Sequence, residues 1–200
     1  MESMAHGSSE KIVSTRVICL VIMLTSINLA LNYVMIGIPN VKLMDLIVFL
    51  SGYLMGLVPG ILVGVLTWLV YGTLNPFGFN LIILAATCSS ETIYAVFGWL
   101  LKKLNIGSDI ITLLDINGRK FWFTSLKFGL IGFLATSIYD LITNIASVVI
   151  VGLSPIMAII SGVWFALIHE VSNFAFFFFG CIPLITALKK VLPEKEVIEL

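Results

Sequence analysis

Asp140 and Asn144 stand one helical turn apart inside "FGLIGFLATSIYDLITNIASVVIVG", residues 128–152, a run apolar enough to lie in lipid. His169 and Asn173 repeat that i, i+4 spacing, and Glu170 and Asn173 are neighbours at i, i+3, so each set can share one helix face. Glu91 and Asp45 complete the ionisable groups set in apolar surroundings. An ionised side chain at membrane depth costs a few kcal/mol on insertion scales, about 3 for Asp, so such residues mark function unless a partner accounts for them. No Lys or Arg is expected at comparable depth. The acids are therefore either protonated or balanced by a cationic or donor-rich ligand. The plainer alternatives are interhelical amide bonding by Asn144 and Asn173, and capping or interfacial placement of Asp45.

Chemistry of other kinds finds little footing. His169 and Glu170 are adjacent, so their side chains diverge, and the residue four after His169 is Asn173, not the second His of HExxH; no metal site follows. Cys19, Cys88 and Cys181 are scattered without a CxxC pair and read as small apolar packers. Formal net charge is zero, which gives no field for nucleic acid. No G-x-x-x-x-G-K-[ST] phosphate loop is present.

The elements that must position these residues follow from hydropathy. Of 200 residues, 60% are hydrophobic and 11% charged, with a mean hydropathy of +1.12, which defines an integral membrane protein. Strand-like alternation is absent, so spanning helices are expected and a barrel is not. Six spans are expected: Val17–Ile36, Leu43–Val58 ending at Pro59-Gly60, a third to Tyr71, Leu81–Leu101, Phe121–Val151 and Ile156–Leu188. They form one all-α bundle over 15–190, with a polar tail at 1–14 and a short tail at 191–200. Lys11 and Arg16, then Lys102, Lys103, Arg119 and Lys120, then Lys189, Lys190 and Lys195 fall on one side if six helices cross, which places both termini in the cytoplasm of a multi-pass plasma-membrane protein. Loops 37–42, 72–80 and 151–155 then face outside, with Lys42 their only cation.

At roughly 1.5 Å rise per residue, Asp140 lies about 28 Å from Phe121, Glu170, Asn173 and Glu91 fall near the middle, and Asp45 is near the outer end of its helix. The polar groups thus gather in the outer half, beneath a lid of loops 37–42 and 72–80. Trp68, Tyr71, Phe77 and Phe79 belong to an interfacial belt or to the lining of that pocket. "FAFFFFG" at 174–180 is lipid-facing and packing surface. Gly52, Gly56, Gly60 and Gly64, four apart, form a close-packing face.

"IPNVKLMDLIVFLSGYLMGLVPGILVGVLTWLVYG" and "ETIYAVFGWLLKK" resemble the second to fourth helices of the substrate-binding S components of energy-coupling factor vitamin transporters. The resemblance covers about residues 15–190. It implies a non-enzymatic, cofactor-free component that captures a vitamin-like micronutrient from outside and delivers it inward with a transmembrane coupling protein and two ATP-binding subunits. It implies further that Ser26 and Ala30 in "SINLA", standing where the family commonly has Ala-x-x-x-Ala, contact the coupling protein. On this reading Glu91, Asp140, Asn144, His169, Glu170, Asn173 and Asp45 face the ligand. The rival expectations are a stand-alone cation- or proton-coupled transporter or channel, in which the acids form a track, and an intramembrane enzyme using Asp140, Glu170 and His169 as acid and base.

Overall fold

The computed structural model describes residues 15–74, 76, 78–107 and 118–191. The expected tails, apart from Val191, lie outside the described residues, as do Lys11, Lys195, Phe77 and the linker from 108 to 117. The chain forms six helices: α1 (Thr15–Val34), α2 (Met44–Met55), α3 (Leu57–Leu74), α4 (Leu81–Lys103), α5 (Arg119–Ile150) and α6 (Pro155–Val191). No strand occurs among the described residues.

The bundle is apolar outside and polar inside. Val34 is 81% and Trp164 74% exposed, while Glu91 and Asn173 are completely buried. Water would reverse that arrangement, so the surrounding medium is hydrocarbon. Five helices are long and apolar enough to cross a membrane, and the protein is a multi-pass membrane protein. On α1, Val17, Val21, Thr25, Asn28 and Asn32 recur every three or four residues along the buried stripe. Ser26 and Ala30 lie on its exposed side.

The sixth helix departs from expectation. α2 has 12 residues, about 18 Å, and is too short for a hydrocarbon core of about 30 Å. It is enclosed by protein instead, with every residue but Ile47 buried. The break also falls earlier than Pro59-Gly60. Gly56 turns the chain with φ of 101°, a conformation open to glycine, and Pro59 sits in the first turn of α3, where a missing N–H costs nothing. The turn lies at the basic end of the bundle: the hydroxyl of Tyr53 donates to the Ile106 carbonyl at 2.9 Å, and the Lys102 ammonium lies 5.7 Å from its ring centroid. Asp45, at the other end of this short helix, is therefore deep in the bundle and not near the outer surface.

Glycines allow this enclosure. Gly52 and Gly98 are the contact points of α2 with α4, where a Cβ would strike the Ala95 and Phe49 carbonyls. Gly60 meets Gly52 backbone to backbone, and Gly64 leaves room for the Glu91 side chain. The four-residue spacing is thus the packing face read from the sequence. At α4, the Asn80 side chain accepts from the N–H groups of Ile82 at 2.9 Å and Ile83 at 3.1 Å, which caps the helix. α5 and α6 pack along each other, and α2 is wedged between α3, α4 and α6. Phe49, Tyr53, Phe128 and Phe177 fill the core toward the basic end, with Phe49 and Phe177 ring centroids 4.9 Å apart.

Gly98→Ala and Gly52→Ala are expected to destabilise the bundle by about 1–3 kcal/mol, because rigid backbone cannot yield to the added methyl. Gly37→Ala, with open space around it, leaves the melting midpoint unchanged. Thermal unfolding in one detergent, followed by size exclusion, compares the three.

Candidate functional site

His169 is the centre of the buried polar cluster. Its Nε2 lies 2.7 Å from Oδ2 of Asp45 and its Nδ1 lies 2.9 Å from Oδ1 of Asp140, so one imidazole joins α2, α5 and α6. Two hydrogen bonds to carboxylate oxygens need two protons. Either the ring carries both, as an imidazolium between two carboxylates, or one aspartate keeps its proton and the ring is neutral. Both arrangements leave one net negative charge on the three groups, and the solvent is excluded: His169 is 1% and Asp45 1% exposed. The Tyr139 ring meets the imidazole edge-on at 5.7 Å.

One turn further along α6, the Asn173 amide donates to Oδ2 of Asp45 at 2.6 Å and to the Thr136 hydroxyl at 2.8 Å. Tyr94 donates to the same hydroxyl at 3.0 Å, and Thr136 in turn donates to the Gly132 carbonyl at 2.8 Å. The hydroxyl thus uses its donor and both acceptor sites. Tyr94 and Thr136 were not among the residues singled out from the sequence. Helical spacing carried the signal: Tyr94 is three residues after Glu91, and Thr136 is four before Asp140.

Glu91 lies apart from this knot. Its Oε2 accepts from the indole N–H of Trp68 at 2.9 Å, and Oε1 is buried without a partner. Above Trp68, the Lys42 ammonium sits 4.7 Å from the ring centroid, a cation–π contact. A cation therefore reaches the acids' neighbourhood, contrary to the expectation from sequence, because the loop after α1 descends to the deep start of α2.

Besides Glu91, two expected site residues do not join the cluster. Asn144 packs on α6 at Gly162, where a Cβ would come within 2.6 Å of its Nδ2, and among the described residues it makes no side-chain hydrogen bond. Glu170 is half-buried and points away from His169, as adjacent helix positions must.

A cavity lies under the loops expected to cover one, but with a different lining. A space of about 680 Å³ opens at the end away from the basic residues, bounded by α1, the loop after it, the ends of α3 and α4, and Phe165 of α6. Trp68, Tyr71, Phe79, Asn32, Thr87 and Lys42 line it, together with backbone and apolar groups of both loops. None of the seven residues expected to face a ligand lines it. The acids lie beneath Trp68, with Asp45 and Asp140 bonded to His169 and Glu91 to the indole, and of the aromatics placed in a belt or a lining Trp68, Tyr71 and Phe79 line the cavity. The lid expectation holds in part: loop 37–42 and residues 78–80 form walls, and the Asn40 amide ties the first loop to the Phe165 carbonyl at 3.1 Å.

The chain matches no protein-family model, no curated protein and no solved structure. Fold and site alone define its class, a polytopic helical membrane protein with a lined cavity at one end and a hydrogen-bonded polar knot at mid-depth.

His169→Ala is expected to cost about 3–5 kcal/mol of stability, since it leaves two carboxylates buried without their partner. Asp140→Asn keeps the shape and costs less, and the double variant His169→Ala with Asp140→Asn is less destabilised than the sum of the two. Asn144→Ala and Glu170→Gln shift the midpoint by less than about 1 kcal/mol. Thermal melts of the five proteins test the ranking.

Proposed function

We propose that this chain is the membrane-embedded binding component of an importer of the energy-coupling factor type, in the plasma membrane with both termini cytoplasmic. It captures a small micronutrient at the outer face and passes it inward with a transmembrane coupling protein and two ATP-binding subunits. The observation that carries the reading is a blind cavity. Its volume of about 680 Å³ falls in the range of small-molecule sites, about 300–1,000 Å³, with apolar walls and a few placed polar groups. Below Trp68 the interior is closed by the polar knot and then by Phe49, Tyr53, Phe128 and Phe177. A conductor needs a polar path to the other side, and those rings interrupt it.

The absent phosphate loop fits a division of labour in which partners hydrolyse ATP. Ser26 and Ala30, exposed on α1, offer a surface of small side chains to a coupling protein.

A second reading, a stand-alone proton-coupled transporter, draws on the Asp45–His169–Asp140 chain, whose members can exchange protons among themselves. The purified chain alone separates the two. Native mass spectrometry of the protein released from detergent is expected to show a stoichiometric small molecule, retained at least about tenfold less well by Trp68→Ala. Proteoliposomes holding only this chain are expected to show neither net uptake of that molecule nor proton flux. Flux by the isolated chain, abolished by His169→Gln, establishes the second reading instead.

A further inference from the structure

We propose that the cavity takes a small organic anion, with a flat or apolar body and at least one N–H or O–H donor. The inference rests on the binding-component reading and narrows its ligand. Three observations point to it.

The first is charge. Lys42 is the sole charged residue among the described cavity lining. It is half-buried and held on the face of Trp68 at 4.7 Å. His169 pairs with Asp45 and Asp140, and no described carboxylate meets the Lys42 ammonium within 4.0 Å. Asp45 and Glu91 attract it from beneath Trp68 without pairing with it, and a ligand anion entering the cavity adds the direct charge-assisted bond it lacks. The acids that suggested a cationic ligand do not line the cavity: Asp45 and Asp140 bond to His169, and Glu91 to the Trp68 indole. A cation would also have to displace Lys42 from Trp68.

The second is an orphaned acceptor. Asn32 lines the cavity and is 4% exposed. Its Nδ2 lies 3.1 Å from the Met44 sulfur, while Oδ1 has no partner. An amide oxygen at a cavity wall, desolvated and unpaired, selects for a ligand donor, because leaving it unpaired costs about 1–3 kcal/mol.

The third is the wall. Tyr71 stands edge-on to Trp68, ring centroids 5.7 Å apart, and to Tyr33, at 5.5 Å, and Phe79 closes the rim. Rings so arranged present flat apolar area to a planar body.

Matched probes test charge separately from shape. Binding of 2-naphthoate, 2-naphthamide and 2-naphthyltrimethylammonium to the full chain in lipid nanodiscs is measured by calorimetry, beside native mass spectrometry of whatever co-purifies. Lys42→Met, Lys42→Arg and Asn32→Leu are compared, each first checked for an unchanged size-exclusion profile. Naphthoate is expected to bind at least about tenfold tighter than the amide, with the ammonium compound weakest. Lys42→Met removes the difference, Lys42→Arg keeps it, and Asn32→Leu weakens retention of the co-purified molecule. Should no probe bind, a co-purified acid whose retention falls in Lys42→Met supports the proposal equally. Tightest binding of the ammonium compound, indifference of naphthoate to Lys42→Met, or a co-purified cation or neutral molecule overturns it while leaving the binding-component reading intact. An empty protein that binds no probe overturns both.

Discussion

A carboxyl group buried in a bundle surrounded by hydrocarbon must find hydrogen-bond partners inside the protein, and His169 is such a partner for two aspartates at once. Much of the architecture follows from where those bonds fall. Asp45 lies in the first turn of α2, so the imidazole and the Asn173 amide hold the start of that helix at mid-depth. A helix of 12 residues that ends at the basic face cannot begin anywhere higher. The loop from α1 must then descend to meet it. Irregular backbone at that depth is tolerated only against protein or a polar space, and here it does both: Asn40 bonds to the Phe165 carbonyl, and the rest of the loop walls the cavity. Lys42 reaches Trp68 because the same descent carries it there. The knot and the cavity, which share no lining residue, are thus two ends of one constraint.

The interplay also sets the order of fragility. Removing His169 leaves two carboxylates facing a gap in low dielectric, the most expensive kind of loss in such an interior. Removing a lining residue such as Trp68 exposes Glu91 to the cavity but leaves the three-helix junction standing. Stability and ligand retention are therefore separable by mutation.

Helices were legible in the sequence because each apolar run is bounded by charge or by glycine, and five spans match within a few residues. The glycine face of α2 and α3 was legible too, since close approach has a fixed spacing. The length of α2 was misread because Pro59 resembles a helix end and is a helix start. The partner of each acid was not legible: His169 and Asp45 are 124 positions apart, and hydropathy carries no information on which faces meet. Asp45, Asp140, His169 and Asn173 were all expected at one site and do meet, although Asp45 was placed too near the outer end because α2 was read as a full span. They bond to one another and none of them lines the cavity, a distinction that spacing along single helices does not carry. Asn144 and Glu170 share turns with these residues but look elsewhere by a fraction of a turn, which spacing from a single neighbour cannot resolve.

The closed end of the bundle bears on how a captured molecule could leave. The buried stripe of α1 carries Asn32, Asn28 and Thr25 down from the cavity, then changes to Val21 and Val17. Beside it, Phe49 touches Phe128 and Phe177 with ring centroids 6.0 and 4.9 Å apart, and α2 is locked to α4 through Gly52 and Gly98 with no space for a methyl group. Parting these surfaces means losing close-packed contacts across a whole helix interface, where each large side chain contributes on the order of 2 kcal/mol. Ligand binding at the outer end makes no contact with that plug and so cannot by itself favour the open form, because a ligand shifts an equilibrium only by its differential affinity. On the proposed function, the work of opening falls to whatever grips the outside of the bundle. Among the described residues, the exposed apolar faces of α1 and its neighbours offer a surface through which such a grip can act.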